Sequence, residues 1–201
     1  MRIEVSQSKI KARGGFIIPQ VTDAFDQFPY HIITGGRLEL YEILKKLKEL
    51  NGEENSYVDF YYDLLTNPEQ ERVKISLSLE GKLILNQFLL EGKNIHLEDE
   101  NHHLEGKNIH LEDENFHSED ESFHSEGENN HKPLYFQLTD DMLKLTVELS
   151  ASESLFSTFY FCKYPMIVWS NYDNRHPVFY QDEVTMQLIQ KLGIVFDKSM
   201  L

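Results

Sequence analysis

Seven of the nine histidines in this 201-residue chain fall between residues 91 and 131, beside 13 of its 34 carboxylates. His96, His103, His110, His117, His124 and His131 are each seven residues apart. Imidazoles and carboxylates together can chelate zinc, nickel or copper, so metal binding is the first chemistry to weigh. Residues seven apart lie ~10.5 Å apart along a helix and ~23 Å apart along a strand, too far to share one ion. Only His102 and His103, beside Glu98 or Asp99, form a compact set. Any divalent transition metal would bind weakly, by gathering the chain around itself, with His102 and His103 as its candidate ligands. Imidazole also titrates at about pH 6.5, so mild acid would add positive charge at each of these positions. The segment is therefore a candidate metal- or pH-responsive contact.

A second chemistry would need a nucleophile. Cys162 is the lone cysteine, and with His176 it could form a thiolate–imidazolium pair oriented by Asp173 or Asn174. Against this, Tyr160-Phe161-Cys162-Lys163-Tyr164 reads as a strand end, and free cysteine is among the residues most often buried. A third chemistry is anion binding at Gly35-Gly36-Arg37, between a predicted strand at Tyr30–Thr34 and a predicted helix. A helix N-terminus there would offer free N–H groups beside the guanidinium. The spacing is neither a phosphate-binding loop nor a dinucleotide fingerprint, and a tight turn at positive φ is the simpler expectation. Arg13-Gly14-Gly15 repeats the pairing of arginine with two glycines. Asp23, Asp26, His31 and Glu39 could ionise usefully, but match no hydrolase spacing. The patterns assign no catalytic residue and call for no cofactor.

The elements that must position these residues are interrupted by a repeat. Leu90–Asn101 recurs letter for letter as Leu104–Asn115, and the later copies drift. On a helix, Ile95, Ile109, Phe116 and Phe123 would lie about 200° from Leu97, Leu104 and Leu111, on opposite sides rather than along one coiled-coil seam. Asn, Asp, Gly and Ser are also poor helix formers. Ile95-His96-Leu97 and Ile109-His110-Leu111 alternate as short strands would, but bury too little to be stable alone. Residues 91–131 are thus expected to be a disordered or weakly structured insert within one discontinuous domain, 1–90 plus 132–201.

Around the insert, Val73–Leu79 and Lys82–Phe88 alternate across Glu80-Gly81 and predict a hairpin. Pro133–Leu138 predicts the next strand. Arg37–Leu50 is the clearest helix, with Leu40, Tyr41, Ile43, Leu44, Leu47 and Leu50 on one face and Asn51-Gly52 as its stop. Glu183–Leu192 predicts a second, capped by Asp182, with Val184, Leu188 and Leu192 inward. Ile194–Phe196 could follow as a terminal strand. Tyr57–Leu65 is aromatic-rich and predicts β structure. Lys144–Leu149 alternates, although Asp140-Asp141 before it could instead open a helix. Phe156–Phe161, Met166–Ser170 and Pro177–Tyr180 predict a meander. Two main helices with runs of strands indicate an α+β domain with a largely antiparallel sheet.

Composition narrows the function. The formal charge is −15, which argues against a nucleic-acid partner held through phosphates. Residues 91–131 account for −11 of it (2 basic, 13 acidic), and the remainder of the chain is only mildly acidic. No apolar run reaches the ~18 residues of a membrane span. Met1–Val5 lacks a signal-peptide pattern, and a single cysteine fits a reducing compartment. The expectation is a cytoplasmic, non-catalytic binding or regulatory protein, such as an inhibitor or immunity-type protein acting on another protein. A small hydrolase or transferase using Cys162 and His176, or the Arg37 anion site, is the alternative. A metal- or pH-responsive module built on the histidine repeat is the second alternative.

Overall fold

The computed structural model describes residues 2–104 and 134–197, and of residue 21 and residues 93–104 the backbone alone. Its strands are β1 (Glu4–Val5), β2 (Tyr30–Thr34), β3 (Ser56–Asp59), β4 (Tyr135–Gln137), β5 (Thr158–Phe161), β6 (Met166–Trp169) and β7 (Arg175–Tyr180). They form one seven-stranded sheet in the order β1-β4-β3-β5-β6-β7-β2, with every pairing antiparallel. Its helices are α1 (Gln7–Ala12), α2 (Val21–Gln27), α3 (Arg37–Asn51), α4 (Asn67–Ser76), α5 (Leu79–Leu104), α6 (Asp140–Ala151) and α7 (Glu183–Lys191).

Alternation along the strands sends side chains into two separate cores, which makes the fold three layers deep. Val58, Phe136, Phe159, Phe161, Met166 and Val178 face the larger core, under α3 to α7. Tyr57, Tyr135, Tyr160, Cys162, Ile167 and Phe179 face the smaller core, where α1 and the segment through Ala24 cover them. Burial on both faces explains the near-continuous apolar runs Phe159–Cys162 and Met166–Trp169. No helix among the described residues is long and apolar enough to cross a membrane.

The predicted hairpin over Val73–Phe88 is not formed; α4 and α5 take its place. Two of its inward residues, Val73 and Leu77, are four apart and fit a helical face as well as a strand face. The decisive signal lies upstream. Thr66-Asn67-Pro68-Glu69 is a capping box with proline in the first turn, in which the Glu69 carboxylate accepts from the Thr66 N–H at 2.8 Å and its hydroxyl at 2.7 Å. The strand predicted at Lys144–Leu149 is likewise helix. Thr139 caps α6 through the Met142 N–H, and Asp140 and Asp141 occupy the first turn. Leu145, Val147 and Leu149 alternate as a strand would, and that alternation outweighed the charged helical face of Asp140, Asp141, Lys144 and Glu148. Two main helices are therefore corrected to five helices of nine residues or more among the described residues.

Smaller corrections follow. Of Tyr57–Leu65 only the start is strand, and Tyr62–Leu64 is a 3-10 turn. In α7, Thr185, Met186 and Ile189 are buried while Val184 is exposed, a rotation from the predicted face. The terminal strand reduces to one bridge between Phe196 and Ile33. Residues 91–104, expected as the start of a disordered or weakly structured insert, are helical in the backbone, because α5 continues to Leu104. Residues 105–131, the rest of the insert, lie outside the described residues.

Candidate functional site

The sheet register separates the two residues proposed as a nucleophilic pair. Cys162 follows β5 at the level where β7 ends, since Phe161 pairs with Met166 and Met166 with Tyr180. His176 sits at the opposite end of β7, paired with Ile33. About five residues of strand, ~16 Å, lie between those levels. Cys162 faces the smaller core, and His176 is spaced evenly with Val178 and Tyr180, which face the larger one. They do not meet.

Each is satisfied where it stands. The Cys162 thiol lies 3.6 Å from the Ile10 carbonyl, and a Cβ on Gly15 would come within 2.6 Å of its sulfur. Burial pushes its pKa up to about 11, with a backbone hydrogen bond at Gly15 and the charge of Arg13 opposing weakly. Thiolate is therefore scarce at neutral pH. A maleimide is expected to leave Cys162 unmodified in the native chain at pH 7.5 and to label it fully in urea. Rapid native labelling would restore it as a nucleophile. His176 Nε2–H donates to the Gly35 carbonyl at 3.2 Å, and its Nδ1 accepts from the Asn171 N–H at 3.3 Å. Burial lowers its pKa, the Gly35 contact opposing, so this tautomer is a neutral strut between β7 and the start of α3.

At the predicted anion site, the anion is part of the protein. Arg37 pairs with Glu148 of α6 at 3.0 Å. Gly36 has φ −72°, and positive φ among the glycines occurs at Gly14, Gly52 and Gly193. The Gly35-Gly36 turn needs glycine for proximity instead: a Cβ on Gly35 would fall 2.5 Å from Glu39 Cβ. Asp23 and Asp26 lie exposed on α2, and Glu39 is exposed on α3. His31 Nδ1 is 3.2 Å from the Tyr180 hydroxyl. No three histidine, cysteine or acidic side chains are placed to hold a metal among the described residues, and the side chains of His102 and His103 are not among those described.

The sequence did not single out Asp59. It is buried at the end of β3 on the smaller-core face. Its carboxylate accepts from the Thr158 N–H at 2.6 Å and from the Tyr61 and Tyr160 hydroxyls at 3.1 Å each. Burial raises its pKa to about 6, against the pull of those hydrogen bonds. It borders a cleft of about 320 Å³ lined also by Gln7, Lys11, Ile18, Tyr61 and Tyr135. The signal was an acid alternating with Tyr57 and Tyr61 inside an aromatic strand.

The second overlooked feature is a surface. At about 100° per residue, Gly81, Leu85, Phe88 and Gly92 of α5 share one face, and all four are buried. Leu79, Leu83 and Leu90 lie nearly opposite and are 77%, 63% and 58% exposed. Ile75, at the end of α4, is 76% exposed, and Leu38 on α3 is 75% exposed. Beside this stripe runs a cleft of about 230 Å³ between α3, α5 and α6, walled by Leu38, Tyr41, Ile84 and Val147. Its polar edges are the pairs Arg37–Glu148, at 3.0 Å, and Lys144–Glu80, at 2.7 Å. An apolar strip and cleft with a charged rim is the anatomy of a protein-docking surface. No family model, curated protein or solved structure matches this chain.

Proposed function

We propose that this chain is a non-catalytic binding protein that acts by docking another protein on the outer face of its helical layer. The observation that carries the reading is the row Leu79, Leu83 and Leu90, exposed on the side of α5 that faces away from the core. Leucine at such positions stabilises neither core, and burying each against a partner would contribute roughly 1.5–3 kcal/mol. The next stretch of sequence, residues 91–131, carries a net −11, which favours a partner with a basic rim and a fast, salt-dependent approach.

The test compares the immobilised chain with its Leu83→Glu/Leu90→Glu double variant in an extract of the cells that make it. Both positions are exposed, so the variant should keep the parent's thermal midpoint. A partner retained by the parent is expected to be lost from the variant and weakened by raised salt. An identical captured set on both proteins would end the reading.

A further inference from the structure

We infer that the cleft beside Asp59 binds a small molecule carrying a protonated amine on a compact apolar body. Tyr135 and Tyr160, which belong to the smaller core, line this cleft, whereas the exposed leucines belong to the helical layer over the larger core. Ligand and docked protein would thus occupy opposite faces of the sheet. Asp59 stands out as a buried negative charge without a positive partner. Its carboxylate is held by the Thr158 N–H and by the Tyr61 and Tyr160 hydroxyls, all neutral groups. No cation is among the groups that act on it. A carboxyl with a pKa of about 6 is mostly ionised at neutral pH, and a buried charge left uncompensated is costly. Asparagine could fill the same hydrogen-bonding role without that cost. A charge kept where an amide would serve the fold as well points to binding.

The lining of the cleft decides which cation fits. Tyr61 and Tyr160 give their hydroxyl protons to Asp59, so their oxygens are left as acceptors. Acceptor oxygens and tyrosine rings around one carboxylate complement an ammonium group, through charge-assisted hydrogen bonds and cation–π contact. Among the described residues Asp59 is the only carboxylate in the lining, and no histidine or cysteine joins it. That donor set is too sparse for a zinc or calcium site. Ile17, Ile18 and Pro19, from the segment between α1 and α2, supply an apolar wall for the body of the molecule. The volume of about 320 Å³ equals roughly ten water molecules at ~30 Å³ each, so the occupant has a similar number of non-hydrogen atoms. Lys11, exposed, also borders the cleft. It repels a second ammonium and so disfavours diamines, and it offers a partner to a carboxylate. A simple alkylamine and an amino acid are therefore the two sources of the shared chemistry.

Titration of the full chain, followed by amide chemical shifts, tests the site with 3-methylbutylamine, leucine and 3-methylbutanol, which share one apolar body. Both amines should bind saturably and move the amides around Ile18, Tyr61 and Thr158, and the alcohol should bind at least tenfold more weakly. Asp59→Asn should weaken both amines at least tenfold while melting at or above the parent's midpoint at about pH 7.5. Tyr61→Phe, which keeps the ring, should weaken them severalfold. Leucine binding more tightly than the alkylamine, and losing that advantage in Lys11→Ala, would identify the occupant as an amino acid; tighter binding of the alkylamine would identify a simple amine. No saturable binding of either amine up to about 20 mM, above the millimolar affinities expected of such small ligands, overturns the site. So does an alcohol that binds as well as the amine, or an Asp59→Asn protein that binds undiminished. Shifts confined to residues 79–90 would place the probes on the exposed leucines, which would sink the cleft and leave the docking reading standing.

Discussion

Asp59→Asn is expected to gain roughly 3 kcal/mol of stability relative to the parent as pH rises from about 4 to about 8. The magnitude follows from a carboxyl that titrates at about 6 folded and 3.8 unfolded, each tenfold in proton affinity being worth about 1.36 kcal/mol. Burial holds the Asp59 carboxyl at about 6 in the folded chain, against 3.8 unfolded. Between those values the folded state binds the extra proton. Stability from Asp59 is thus full below pH 3.8, falls as pH rises through 6, and stays lost above it. Asparagine is neutral throughout and escapes the loss. Its carbonyl can still accept from the Thr158 N–H, and its amide can donate to the Tyr61 and Tyr160 hydroxyls, which now accept. Tyr160 can pass its own proton toward Tyr135, with which it also interacts. Urea denaturation of both proteins at the two pH values isolates the effect, because all other titrations cancel in the difference. Parallel pH profiles would show that Asp59 ionises no less readily in the fold than in the unfolded chain.

The difference between what the sequence disclosed and what it concealed has a physical pattern. Arg37–Asn51 was legible because its apolar period ends at an Asn51-Gly52 stop, and Glu183–Lys191 because Asp182 caps it, although its buried face is rotated from the predicted one. The meander over β5, β6 and β7 was legible because β-branched and aromatic runs are bounded by Tyr164-Pro165 and Tyr172-Asp173-Asn174. The failures, at α4, α5 and α6, share a cause. Alternating leucine, isoleucine and valine fit either period, and long-range packing broke the tie. In α6 the charged face of Asp140, Asp141, Lys144 and Glu148 was present but narrow, and the alternation of Leu145, Val147 and Leu149 outweighed it. In α5 the outward leucines filled the positions where a solvent face would have declared a helix. The exposed leucines that concealed the helix from sequence reading are thus the same residues on which the proposed function rests. Asp59 and the Arg37–Glu148 pair were hidden for another reason: their partners are about 100 and 111 residues away, respectively.

Glu148→Ala should be among the most damaging single changes to the helical layer that carries the exposed leucines, costing about 3 kcal/mol. The Glu148 carboxylate is buried on α6 and holds the start of α5. It accepts from the Ser78 N–H at 2.5 Å, the Ser78 hydroxyl at 3.0 Å and Arg37 at 3.0 Å. The same hydroxyl accepts from the Gly81 N–H at 3.1 Å, so one side chain organises the first turn of α5. A Cβ on Gly81 would come within 2.8 Å of the carboxylate, which explains glycine in a helical turn. Alanine would leave the Ser78 N–H without its acceptor. Arg37, half exposed, would simply rehydrate. Arg37→Ala should therefore cost about 1 kcal/mol or less, and Glu148→Gln, which keeps an acceptor but loses the charge, should fall between. Denaturation midpoints at a constant m-value give the order. Hydrogen exchange should show the amides of residues 78–83 losing protection in Glu148→Ala while those of β5 and β6 retain it. If Arg37→Ala proved as costly as Glu148→Ala, the ion pair rather than the helix anchor would hold this corner. The leucine stripe would then take its orientation from α3 instead of α6.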